Sequence, residues 1–110
     1  MANDDYFVIA YRILRTLRAA MRVEDFDITQ ISADMLGIET MYWQQIIIML
    51  YENGYIQGIS LVPVLGQRNP GLRIGNIRIT EKGLMYLEEN SMMRKAADFL
   101  KGIKDIIPGM

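Results

Sequence analysis

The sequence predicts a mainly α domain with one small antiparallel β-hairpin, an α+β arrangement. Three observations lead there. A helical apolar stripe of Trp43, Ile46, Ile47 and Leu50 stops at Asn53-Gly54. An extended run from Tyr55 to Leu65 follows at once, and a segment rich in Gly and Pro separates it from a second run, Leu72 to Ile79. Ahead of the long helix, Gly37 marks a tight turn from a shorter helix, because glycine enters the left-handed conformation without a Cβ clash. Two helices across a tight turn, then a hairpin, is the order of a winged helix-turn-helix, here with an additional C-terminal helix. The 110 residues make one domain, a core over 1–90 followed by an amphipathic helix over 91–107.

Asp4 to Arg22 reads as the first helix, with Phe7, Ala10, Ile13, Leu14, Leu17, Ala20 and Met21 as its inward stripe. Asn3 is its N-cap candidate. Asp4 and Asp5 suit the positive end of the helix dipole, Arg18 and Arg22 the negative end. Arg12, Arg15, Arg18 and Arg22 fall along one side, and a solvated face explains such a ridge more simply than a partner does. Val23 to Ile28 is an acidic link with Glu24, Asp25 and Asp27. The alternation of Phe26 and Ile28 with charges makes this link a candidate third strand. A small helix spans Gln30 to Leu36 with Ile31, Met35 and Leu36 inward, and Thr29 and Ser32 compete for its cap. The long helix opens at Glu39-Thr40, where the Glu39 carboxylate suits the dipole.

In the hairpin, Pro63 has no amide to give a ladder and needs an edge or an irregularity. Gly66 to Gly71 forms the turn, with Pro70-Gly71 as its central pair, and Gly75-Asn76 marks a bulge in the returning strand. Thr80 caps the next helix, with Glu81 in its first turn and Leu84 and Leu87 inward. Gly83 costs that helix about 0.5–1 kcal/mol against alanine, which points to close backbone packing at the site. Asn90-Ser91 breaks it. The last helix carries Met93, Ala96, Ala97, Leu100, Ile103 and Ile107 on one side and ends at Pro108-Gly109.

Composition removes whole classes of chemistry. The formal net charge of −1 gives no general attraction to polyanions, so any nucleic-acid surface must be local. The absence of cysteine excludes a disulfide framework and thiolate chemistry and suits a reducing cytoplasm. No apolar run is long enough to span a bilayer, and Asp4-Asp5 spoils a signal-peptide reading. Without histidine there is no His-based triad, and without cysteine as well the common zinc ligands are gone. Neither a P-loop nor a dinucleotide fingerprint is present. The chain therefore reads as a protein that is not an enzyme and uses neither a cofactor nor a metal.

Two surfaces carry the functional reading. From Glu39 to Asn53 there is no Lys or Arg, and the positions opposite the buried stripe include Met41, Gln45, Ile48 and Met49. Either this is an apolar interaction face, or the helix is buried all round. The hairpin is the opposite case, because Arg68, Arg73 and Arg78 lie in it with no acidic residue between Gln57 and Thr80. Such a wing could touch a phosphate backbone, with Tyr42, Gln44 and Gln45 as base-reading candidates; a charged edge that resists aggregation is the plainer explanation. A helix that reads DNA normally has cations beside it. The sequence thus favours a non-catalytic protein-interaction or dimerisation adaptor, with a protein partner or self-association. A DNA-binding transcriptional regulator acting through its basic wing is the alternative.

The block from Ile79 to Asn90 resembles the wing end and following helix of MarR-like and PadR-like regulators. A closer resemblance, over most of the chain beyond the first helix, is to the YjcQ-like family of small bacterial and prophage proteins. It is carried, in order, by LGIETMYWQQIIIMLYENGYIQGI, ITEKGLMYLEENS and KAADFLKGIKDII. The resemblance implies a winged helix and a phage-derived setting. It brings no established activity, so no functional residue is carried over.

Overall fold

Asp5 starts the first helix, its carboxylate accepting the Phe7 amide at 2.9 Å. The computed structural model describes residues 5–68 and 70–89; Asn3 and the helix expected over 91–107 lie outside them. The described elements are α1 (Tyr6–Ala20), a 3-10 turn (Ile28–Ile31), α2 (Ala33–Leu36), α3 (Thr40–Glu52), β1 (Ile56–Val62), β2 (Gly71–Ile79) and α4 (Glu81–Glu89). This is the mainly α arrangement with a small hairpin that the sequence predicts.

α1 is the central core helix, packed by α3, α4, β2 and the 3-10 turn. It therefore buries a wide arc, Val8, Ile9, Ala10, Tyr11, Ile13, Leu14 and Leu17. Two members of the expected stripe are corrected: Phe7 in the first turn and Met21 beyond the helix end are exposed. The link after α1 does not become a strand, and the sheet has two strands among the described residues. The Asp27 carboxylate turns back to accept the Thr29 amide at 3.1 Å and hydroxyl at 2.7 Å, which curls the chain instead of extending it. The expected small helix is accordingly divided into the 3-10 turn and α2, and Ser32 caps α2 by accepting the Met35 amide at 3.3 Å. Ile31 and Leu36 face inward, but Met35 is exposed, since one turn of helix has a single inward edge.

Gly37, at φ +73°, turns the chain toward α3, and the indole N–H of Trp43 donates to the Ile31 carbonyl at 2.7 Å. Ile46, Ile47 and Leu50 are completely buried beneath α3. The helix closes at Asn53-Gly54 as expected. The Gly54 amide donates to Tyr51 O and the Tyr55 amide to Leu50 O, both at 2.9 Å, so the last carbonyls are satisfied in the Schellman manner.

β1 and β2 pair antiparallel from Ile56↔Ile79 to Val62↔Gly71. The expected bulge at Gly75-Asn76 is present and has a partner the sequence reading missed. Gln57 faces Arg78 and Ile59 faces Ile74, so Gly58 alone stands opposite three residues of β2. Gly58 has φ +91°, and a Cβ there would overlap the Asn76 carbonyl. The turn is also corrected. Gly71 pairs with Val62 as part of β2, and the chain reverses earlier, where the Gln67 amide donates to Val64 O at 3.1 Å across Leu65-Gly66. Gly66, at φ +82°, supplies the left-handed residue that a type II turn requires.

Thr80 joins the hairpin to α4. Its amide donates to Tyr55 O at 3.0 Å, its hydroxyl donates to Gly54 O, and the same hydroxyl accepts the Gly83 amide at 3.1 Å. Gly83 is buried where a Cβ would overlap the Tyr55 carbonyl, the close backbone approach that its helical position implied. Beside this joint Tyr55 stacks on Tyr86 at 4.4 Å, and burial, then the neighbouring phenols, push the Tyr6 and Tyr86 hydroxyls above their ordinary pKa.

The glycines should separate in a urea titration. Gly37→Ala meets open space and should cost about 1–2 kcal/mol for its left-handed backbone. Gly58→Ala adds overpacking of about 1–3 kcal/mol to a similar backbone cost, and Gly83→Ala loses about 1–3 kcal/mol by overpacking, offset in part by about 0.5–1 kcal/mol of regained helix propensity. Equal midpoints for Gly37→Ala and Gly58→Ala would show that β2 yields without strain.

Candidate functional site

On a helix advancing 100° per residue, Met41, Gln45, Ile48 and Glu52 fall opposite the buried Ile46, Ile47 and Leu50. Met41 is 60% exposed and Met49, at the margin of that face, 40% exposed. Gln45 and Ile48 are half-buried, and Ile48 stands outside the core cluster. α3 is therefore not buried all round. Its outer face is uncharged along the middle, with exposed Glu39 and Glu52 at its two ends. Of the base-reading candidates, Tyr42 is half-buried and packed against the core, and Gln44 and Gln45 are half-buried.

The hairpin places its arginines by the irregularity at Gly58. Ile56 and Ile59 are both buried although three residues apart, and so are Ile77 and Ile79, with Ile74 packed against the same core. Each strand has shifted its alternation once. As a result Gln57 and Ser60 both face outward, and so do their partners Arg78 and Arg73. Plain alternation would send Arg73 and Arg78, five residues apart, to opposite faces. Arg68 is exposed in the loop, off the ladder. The α1 arginines are partly turned to their own domain: Arg18 lies 3.8 Å from Glu88, and Arg15 lies over the Tyr11 ring at 5.5 Å.

Two further features needed the fold to be seen. A cleft of about 720 Å³ opens between the end of α1, the acidic link and β2. Met21, Val23 and Phe26 supply apolar lining, Glu24 and Asp25 stand on the link side, and Arg78 on the strand side. At the hairpin tip, Leu65 is 100% exposed, next to the exposed Val64. The tip had a sequence signal, an apolar Pro63-Val64-Leu65 triplet just before a turn glycine; the cleft had none, because its walls are far apart in the chain.

Among the described residues, no group of three or more His, Cys, Asp or Glu side chains is placed to hold a metal ion. No described helix is long and apolar enough to cross a membrane.

Three helices leading into an antiparallel hairpin and a closing helix define a protein of winged-helix type. The chain belongs to the YjcQ protein family, whose family model matches residues 11–106. A comparison with curated proteins gives no match.

Dilute peroxide should convert Met41 and Met49 to sulfoxides in the folded protein, at rates like that of exposed Met35, without changing Trp43 emission. Peptide mass spectrometry reads this. A Met41 that stays reduced after Met35 has reacted would mean the outer face of α3 is covered.

Proposed function

We propose that this YjcQ-family chain is a non-catalytic adaptor of prophage type, working in the cytoplasm, that docks a protein partner or a second copy through the outer face of α3. One observation carries the reading. The helix of a winged-helix fold that would enter DNA presents Met41 and Met49 to solvent beside Ile48, with no cation from Glu39 to Asn53. Thioether side chains adapt to irregular apolar surfaces, and an interface centre is depleted of charge. Glu39 and Glu52 would form the polar rim around that centre.

A photo-crosslinking side chain at Gln45 should capture one discrete protein in cells, either another protein or this chain itself. Adding Ile48→Glu and Met49→Lys should abolish the adduct. Yield no higher than from the same group at exposed Glu81 would remove the reading.

The shared outward face of Arg73 and Arg78 supports a second reading, a DNA-binding regulator contacting phosphates through the wing, with Gln44 and Gln45 nearest the bases. Fluorescence anisotropy with a mixed-sequence duplex separates the two. The adaptor reading expects no binding even at low ionic strength. Binding that weakens steeply with salt and disappears in Arg73→Glu/Arg78→Glu would transfer the assignment to DNA.

A further inference from the structure

We infer that the wing tip of one copy seats in the cleft of a second copy, so that the protein forms a symmetric dimer by reciprocal wing exchange. The knob is Leu65, completely exposed at the turn, with Val64 beside it. A lone exposed leucine needs no explanation, but a loop tip is where polar turn residues are the default. The hole is the 720 Å³ cleft, walled by Met21 and Val23, which are exposed within it, and by the half-buried Phe26. Its size falls within the range of pockets that enclose a whole ligand, so it has room for two aliphatic side chains.

Charge fixes the occupant. The link side of the cleft carries the carboxylates of Glu24 and Asp25, both exposed. Arg68 follows Leu65 by three residues in the same loop and is exposed as well. A wing that inserts Leu65 therefore brings a guanidinium toward an acidic wall. Asp27, next along the link, has its carboxylate held by the Thr29 hydroxyl and then the Thr29 amide, which keep it below the usual carboxylate range. Arg78 stands on the opposite wall, so the complementary side for Arg68 is the link.

The topology allows reciprocity. The strand wall of the cleft, Ile74 to Arg78, begins three residues along β2 from Gly71, where the ladder meets the loop. That offset is roughly 10 Å at strand rise. Two hairpins laid antiparallel about a two-fold axis near Gly71 would each set a tip against the other's cleft, an isologous contact that closes. The contact uses neither Met41 nor Met49 and goes beyond the adaptor reading.

Two measurements test it. Sedimentation equilibrium should show a dimer that Leu65→Glu weakens at least about tenfold, and that Arg68→Glu also weakens. Glu24→Arg with Asp25→Arg should restore association to the Arg68→Glu chain. Because the chain has no cysteine, mixing separate Leu65→Cys and Val23→Cys proteins under mild oxidation should give a disulfide-linked heterodimer faster than either alone gives a homodimer. A protein still monomeric at roughly 1 mM overturns the inference. So does a dimer indifferent to Leu65→Glu, or heterodimer formation no faster than homodimer formation. Association lost in Ile48→Glu/Met49→Lys but kept in Leu65→Glu would place self-association on α3 and likewise overturn wing exchange.

Discussion

The Thr80 hydroxyl holds the fold at its narrowest joint. It donates to the carbonyl of Gly54, the residue that ends α3, and accepts from Gly83 in the first turn of α4. Thr80 also gives its amide to Tyr55, the residue entering β1. One residue thus fixes the end of one helix, both feet of the hairpin and the start of the next helix. The approach is close enough that Gly83 can carry no side chain, and the helix-propensity loss at that glycine is the local cost of it. With this joint closed, Ile56 and Ile79 pair as buried partners, and Leu87 reaches the α1 core. The hairpin leaves the body at a set angle because both its ends are pinned.

A second constraint acts further out. Gly58 takes a backbone conformation that other residues rarely enter, and the Asn76 carbonyl occupies the space of its missing side chain. The ladder is shifted there in both strands. Beyond the shift, Ile59, Leu72 and Ile74 again pack on the core while Ser60 and Arg73 face outward, so the core continues across it. Its visible consequence is electrostatic, because the two strand arginines come to one face. A glycine therefore determines where the charge of the wing sits.

Much of this was legible in the residues, because helix ends and apolar periodicities depend on neighbours within a few positions. Gly37, Asn53-Gly54 and Thr80 each punctuate the chain as their chemistry dictates. The stripe on α3 was readable because one side of that helix meets the core. α1 was harder, since four other elements pack around it and its buried arc is wider than a single stripe, taking in Tyr11 and leaving Phe7 outside. The turn was misplaced because Pro70-Gly71 is the stronger local signal. Pairing of Gly71 with Val62, a tertiary fact, removed it from the turn. In the link, apolar alternation suggested a strand, but the Asp27 carboxylate offered the chain a local alternative. Of the surface residues, the charge-free run on α3 was plain in the sequence. Its exposure was not, and neither was the shared face of Arg73 and Arg78.

Magnitudes decide how the two surfaces compare. Two strand arginines neutralising two phosphates would give a salt slope of about −2, whereas tight DNA binders make roughly 6–10 such contacts. Even with Arg68 added, one copy of this wing is a weak electrostatic handle, and α3 supplies no cation to strengthen it. The α3 face has a different shortfall. A stable protein interface buries about 800 Å² on each partner, more than a few side chains on one helix provide. Met41, Ile48 and Met49 can serve as the desolvated centre of such an interface, where most binding energy concentrates, but a rim must come from beyond the middle of α3. The exposed Glu39 and Glu52 at the two ends of α3 are the nearest groups able to supply it. They would also repel a phosphate backbone brought along that helix.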